Sequence, residues 1–121
     1  MSSTKLRIGV VGPCKSGKTT LVRGLQLAGY DAIQIAQEHS FAPRMWRQIA
    51  KPDVLVYLHC SFPTTVARGL GWLETEFDEQ QPRLVHARRH ADIEIITDAL
   101  NPMQVLAKVV GFLQESQHKS A

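Results

Sequence analysis

The chain has 121 residues, 14 Lys and Arg against 11 Asp and Glu, and a formal net charge of +3. That length gives a single domain, residues 1–121, which buries roughly two thirds of its unfolded surface and leaves no separate substrate domain, so an acceptor site has to be built from loops. Arg83, Arg88 and Arg89 with His86 and His90 concentrate positive charge in one segment, but without a nucleic-acid-binding motif or interleaved aromatics nucleotide phosphates are the expected partner rather than nucleic acid. No apolar run approaches the roughly 20 residues that span a bilayer, and MSSTKLR lacks the apolar core of a signal peptide, so a cytoplasmic chain without a membrane partner is expected.

In chain order, Lys5 to Val11 (KLRIGVV) reads as a short apolar strand, and Thr19 to Ala28 has helical spacing that Gly29 ends. Asp31 to Gln37 (DAIQIAQ) follows as a second strand, then polar EHS and a short helix from Pro43 to Ala50. Lys51, Pro52 and Asp53 break the chain before Val54 to His59 (VLVYLH), whose unbroken apolar character suits a strand buried on both faces. Pro63 can open a helix through Val66 and Leu70 that Gly69 and Gly71 weaken. Glu74 to Pro82 is acidic and polar, and Arg83 to His90 extends as a helix. Ile93 to Thr97 is a fourth strand, Asn101 and Pro102 cap a last helix to about Gln114, and the tail SQHKSA is expected to fray. Strands alternating with helices predict an α/β fold of three layers, α/β/α, on a short parallel sheet of four strands. Ligands of such sheets sit beyond the carboxyl ends of the strands, which excludes Asp53 and Asp92 at strand starts.

Between the first strand and helix lies GPCKSGKT, Gly12 to Thr19, which satisfies the phosphate-loop pattern of Gly, four residues, Gly, Lys, then Ser or Thr. Gly12 and Gly17 allow backbone turns that aim successive N–H groups inward, so Gly12, Pro13, Cys14, Lys15, Ser16 and Gly17 form an anion nest. Lys18 brings positive charge to the terminal phosphates, the Thr19 hydroxyl is placed for a magnesium ion, and Thr20 continues into a helix whose dipole favours anions. Cys14 and Cys60 form no disulfide framework or metal cluster, and five scattered His show no ligand spacing. The two thiols can approach each other as a redox switch; two inert thiols are the plainer expectation. Trp46, Trp72 and Met45 read first as packing residues.

With these segments the chain resembles the P-loop nucleoside triphosphate hydrolase superfamily, and within it the small P-loop kinases of the thymidylate and deoxynucleoside kinase branch. Pro52 to Arg68 (PDVLVYLHCSFPTTVAR) and Ala91 to Leu113 (ADIEIITDALNPMQVLAKVVGFL) are similar to the family's later strand-helix segments. The resemblance implies ATP, with GTP possible, and Mg2+. It implies Glu38 as catalytic base or magnesium ligand, Arg68 at the start of a lid spanning Gly69 to Ala91, and Arg83, Arg88 and Arg89 as lid cations. Read without the family, Glu38 is a solvated loop acid and these arginines line a solvated helix face.

The chain departs from the family in three places. Only 18 residues separate Thr19 from Glu38, so the family's acceptor region is missing; His39 replaces an Arg, and His59 an Asp. With that region gone, the strand order expected is second, first, third, fourth. The function implied is a small magnesium-dependent phosphotransferase acting on an unidentified small acceptor. The alternative is a nucleoside triphosphate hydrolase, or a nucleotide-dependent switch or binding module. Exposed sheet edges leave a homodimer open.

Overall fold

The computed structural model describes residues 6–120, with side chains as far as residue 116. Its strands are β1 (Arg7–Val11), β2 (Asp31–Gln34), β3 (Val54–His59) and β4 (Ile93–Ile96), and its helices are α1 (Lys18–Leu27), α2 (Phe62–Ala67), α3 (Glu74–Arg89) and α4 (Pro102–Ser120). The four strands pair in the order β2-β1-β3-β4, all parallel, with Ile8 opposite Ala32 on one side and Val54 on the other. This is the strand order expected from the short Thr19–Glu38 spacing. Lys5, placed in the first strand by its sequence, lies outside the described residues.

Alternation along the strands sorts the core into two clusters, as the two-residue period of a pleated strand requires. Ile8, Val10, Val56 and Leu58 point to one face, where they meet Leu21 and Leu25 of α1 and Val105, Val109 and Leu113 of α4. Val11, Leu55 and Tyr57 point to the other, against Leu84 and Ala87 of α3 and Trp46. Helices therefore cover both faces of the sheet, an arrangement compatible with three α/β/α layers.

Several element boundaries differ from the sequence reading, each for a local reason. β2 stops at Gln34; the Ile35 N–H still donates to Val10 O at 2.9 Å, after which Gln37–His39 tighten into a 3-10 turn. Buried Gln37 holds that turn, its Nε2 donating to Ala42 O (2.9 Å) and Arg83 O (3.2 Å) while its Oε1 accepts from Trp46 N (2.9 Å). The helix expected over Pro43–Ala50 is a turn followed by one π-helical turn, Trp46–Ala50, closed by Lys51 at φ 49.

The largest difference is α3, which starts at Glu74 and carries Pro82 inside it. An internal proline removes one helical hydrogen bond. The carbonyl deprived of that donor belongs to Asp78, however, which is an exposed residue. The helix is anchored on both sides: Glu76 Oε1 accepts from Leu73 N at 3.1 Å, Phe77 stacks edge-on against Trp72 and Phe62, and Gln80, Leu84 and Ala87 are buried. The Gly69–Ala91 segment is thus largely a helix packed on the sheet rather than a loose lid. α4 also outruns its expected end at Gln114 and continues to Ser120, while Ala121, the last residue of the tail expected to fray, lies outside the described residues. The tail contains no Gly or Pro to stop it. Among the described residues, no helix is long and apolar enough to cross a membrane.

Candidate functional site

β1 ends at Val11, and residues 12–17 turn the chain into α1 at the carboxyl edge of the sheet. Gly12 is required by close approach, since a Cβ there would lie 2.5 Å from Leu58 O and 2.8 Å from Ser16 Oγ. Gly17 is required by conformation, with φ 104. Lys15 holds a left-handed φ of 64 without being glycine, and Arg68 Nη1 donates to its carbonyl at 2.6 Å.

Lys18 folds back under this loop. Its side chain is only 4% exposed, and Nζ donates to Gly12 O at 2.8 Å and Pro13 O at 3.0 Å. The same Nζ lies 2.8 Å from Oε2 of Glu38, itself 4% exposed in the turn after β2. Lys18, which opens α1 after β1, and Glu38, in the turn after β2, meet because β1 and β2 are adjacent and parallel. Glu38 is therefore a buried ion-pair partner and not a solvated loop acid. Two buried polar atoms in this region, Ser16 Oγ and Glu38 Oε1, have no hydrogen-bond partner, a costly arrangement unless something binds there. The Thr19 hydroxyl donates to Gln34 Oε1 at 2.6 Å.

Two clefts flank the loop. The wider, of about 540 Å3, is lined by Lys15, Lys18, Thr19, Glu38, His39 and Arg68 among others. The smaller, of about 230 Å3, lies between Gly17, Thr20, Arg68, Thr97, Leu100 and Pro102. Arg68 borders both; its Nη2 donates to Thr97 O at 2.8 Å and its Nη1 reaches Thr97 Oγ1 at 3.2 Å. Thr97 Oγ1 in turn lies 3.0 Å from Ser16 O and 3.1 Å from His59 O, tying the loop to β3 and β4.

The other arginines divide. Arg83 Nη1 donates to Glu38 O at 3.1 Å and its guanidinium stacks 4.2 Å over Phe41, so it braces the Glu38 turn from behind. Arg88 pairs with Glu94 at 3.1 Å, sharing its Oε1 with His59 Nε2 at 2.6 Å; the His59 hydrogen bond, with help from Arg88, holds the Glu94 carboxyl below its usual range. Neither Arg83 nor Arg88 lines the clefts at the loop. Trp46 and Trp72 are packing residues, donating to His86 Nδ1 (3.1 Å) and Thr65 Oγ1 (2.9 Å), and Met45 packs at the edge of the second core cluster.

Linear spacing shows no ligand pattern among Cys and His, yet the fold brings three donors together. Donor atoms of Cys14, Glu38 and His39 lie within 4.8 Å of one another. Cys14 comes from the loop after β1 and the other two from the turn after β2, a juxtaposition that linear spacing does not display. Gln80 of α3 braces the cysteine, accepting from its N–H and donating to its Sγ, both at 3.2 Å. Cys14 and Cys60 are both free thiols, and burial pushes the Cys60 thiol up to about 11, opposite to what a reactive switch cysteine needs.

Sequence reasoning missed Gln37, Gln80 and Thr97, whose polar side chains knot the loop to its neighbours; a Gln carries no motif, and only its burial marks it. Comparison with protein-family models and with curated proteins finds no match.

Proposed function

We propose that this chain is a P-loop nucleotide-binding protein that transfers the terminal phosphoryl group of a nucleoside triphosphate, ATP in preference to GTP, to a small acceptor. The observation that carries this reading is the buried contact of Lys18 with Glu38 across the mouth of a glycine loop at the carboxyl edge of a parallel sheet. The donor set fits the ligand: the loop N–H groups and Lys18 suit phosphate oxygens, the unpartnered Ser16 hydroxyl offers a further donor, and the smaller cleft, part polar and part apolar, suits a base. Thr19 would hold magnesium, joined by Glu38 where that carboxylate does not serve as the base; when bound, the ion supplies charge neutralisation between phosphates.

Lys18 then orients and neutralises the migrating group, Arg68 fixes the loop through Lys15, and Glu38 accepts the acceptor's proton. A hydrolase or nucleotide-dependent switch is the second reading. It is favoured by the direct passage from α1 through β2 to Glu38, with no segment between them to build an acceptor site.

The test is ADP formation from magnesium-ATP, with and without pooled nucleosides, nucleotides and small metabolites. Turnover that requires both an acceptor and Lys18 supports phosphotransfer, Lys18-dependent turnover without acceptor supports hydrolysis, and binding without turnover leaves a nucleotide-binding module. Glu38→Gln is expected to lower turnover roughly 100- to 10,000-fold while sparing binding; undiminished turnover removes Glu38 from the mechanism.

A further inference from the structure

We propose that Cys14, Glu38 and His39 form a three-ligand site for a thiophilic divalent cation of the zinc class, with its fourth position open to the wider cleft. Cys14 Sγ and His39 Nε2 are 3.6 Å apart, and His39 Nε2 and Glu38 Oε2 are 3.8 Å apart. With zinc bond lengths of about 2.3 Å to sulfur and about 2.0 Å to nitrogen or oxygen, tetrahedral angles put these edges at about 3.5 Å and about 3.3 Å. The third edge, Cys14 to Glu38, lies within 4.8 Å, and rotations of the half-buried Cys14, of the Glu38 carboxylate and of His39, whose side chain is 60% exposed, would have to close the three donors onto one ion.

The chemistry of the set selects the metal. Thiolate, imidazole and carboxylate together match zinc and its neighbours, whereas magnesium takes oxygen ligands alone. Two observations beyond the cluster itself point to a ligand. Glu38 Oε2, the oxygen 3.8 Å from His39, is engaged by Lys18 at 2.8 Å, whereas Oε1 is buried without a hydrogen-bond partner; a turn of the carboxylate would let one oxygen keep the lysine while the other takes the cation. Gln80 Nε2 donates to Cys14 Sγ, the kind of outer contact that orients and stabilises a ligating sulfur. Binding replaces the Cys14 thiol proton, which leaves to solvent, and thiolate and carboxylate together then outweigh the charge of Lys18.

The cation would clamp the loop after β1 to the turn after β2. All three donors line the wider cleft, so a bound cation and a phosphate ligand would meet at the same mouth, and a Glu38 that holds the cation would not be free to act as base. Metal binding itself does not depend on the nucleotide reading.

The test is a titration of the full, chelator-treated chain with zinc against a chromophoric chelator, and with cobalt monitored by absorption. One zinc per chain is expected, with a thiolate-to-cobalt charge-transfer band. Cys14→Ser and His39→Ala are expected to weaken zinc by at least roughly 100-fold, more than outer-contact changes do, while Cys60→Ser leaves it unchanged; circular dichroism confirms that each variant is folded. Zinc affinity unaltered in folded Cys14→Ser and His39→Ala, absence of stoichiometric binding, or binding lost instead in His86→Ala, whose ring lies 4.4 Å from that of His90, would overturn the assignment.

Discussion

Gly12 and Lys18 show how single residues carry the site. Gly12→Ala forces a Cβ against the Leu58 carbonyl, which is backbone and cannot move aside; the expected cost is roughly 1–3 kcal/mol by chemical denaturation, with the loop displaced. Lys18 and Glu38 are buried and mutually dependent, so Lys18→Met strands a buried carboxylate and is expected to destabilise by about 3 kcal/mol. Adding Glu38→Gln should recover part of that loss, with a coupling of roughly 1–3 kcal/mol in a double-mutant cycle. Strictly additive losses would show that the pair does not interact in solution.

At the scale of elements, the β4–α4 connection acts as a brace. Asp98 Oδ1 accepts from Ser61 N (2.8 Å), Ser61 Oγ (3.0 Å) and Thr64 Oγ1, joining the start of α2 to the end of β4. Burial pushes its carboxyl up, but the hydrogen bonds from Thr64 and Ser61 and the charge of Arg68 prevail and hold it below its usual value. A depressed folded pKa contributes stability that is fully present above the unfolded value of about 4 and is lost as pH falls through the folded one. Asp98 is exposed, so Asp98→Ala is expected to cost no more than about 1 kcal/mol near neutrality. The gap between variant and parent in urea midpoints should close below pH 4; a gap constant with pH would mean that the charge contributes nothing.

Asn101 and Gln104 form a reciprocal cap, each side chain accepting from the other's N–H at 2.8 Å. Asn101→Ala should cost about 1 kcal/mol, read as a lower thermal midpoint. This cap was legible from Asn-Pro ahead of an apolar stripe. The length of α3 was not, because a proline and an acidic run are local signals against a helix, while burial of Gln80, Leu84 and Ala87 against the sheet is a tertiary one.

For the whole molecule, the proposed ligand links binding to folding. At 100 times its dissociation constant, magnesium-ATP should add about 2.7 kcal/mol of stability, a rise of roughly 10 °C in thermal midpoint for a domain of this size. Lys18→Ala should abolish the shift, and a rise that persists in that variant would place nucleotide elsewhere on the chain.

The parallel four-stranded α/β sheet was legible in the sequence, because apolar runs, glycines and prolines act over a few residues, and its strand order followed from the family resemblance taken with the short Thr19–Glu38 spacing. Lys18 stood out by its motif, and Glu38 only through the resemblance. Packing alone brings these two within 2.8 Å, turns Arg88 to Glu94 and makes Cys14 and His39 neighbours. Such contacts join residues from different elements, and side-chain distance across adjacent strands is set by register and packing together, neither of which any single stretch of chain encodes.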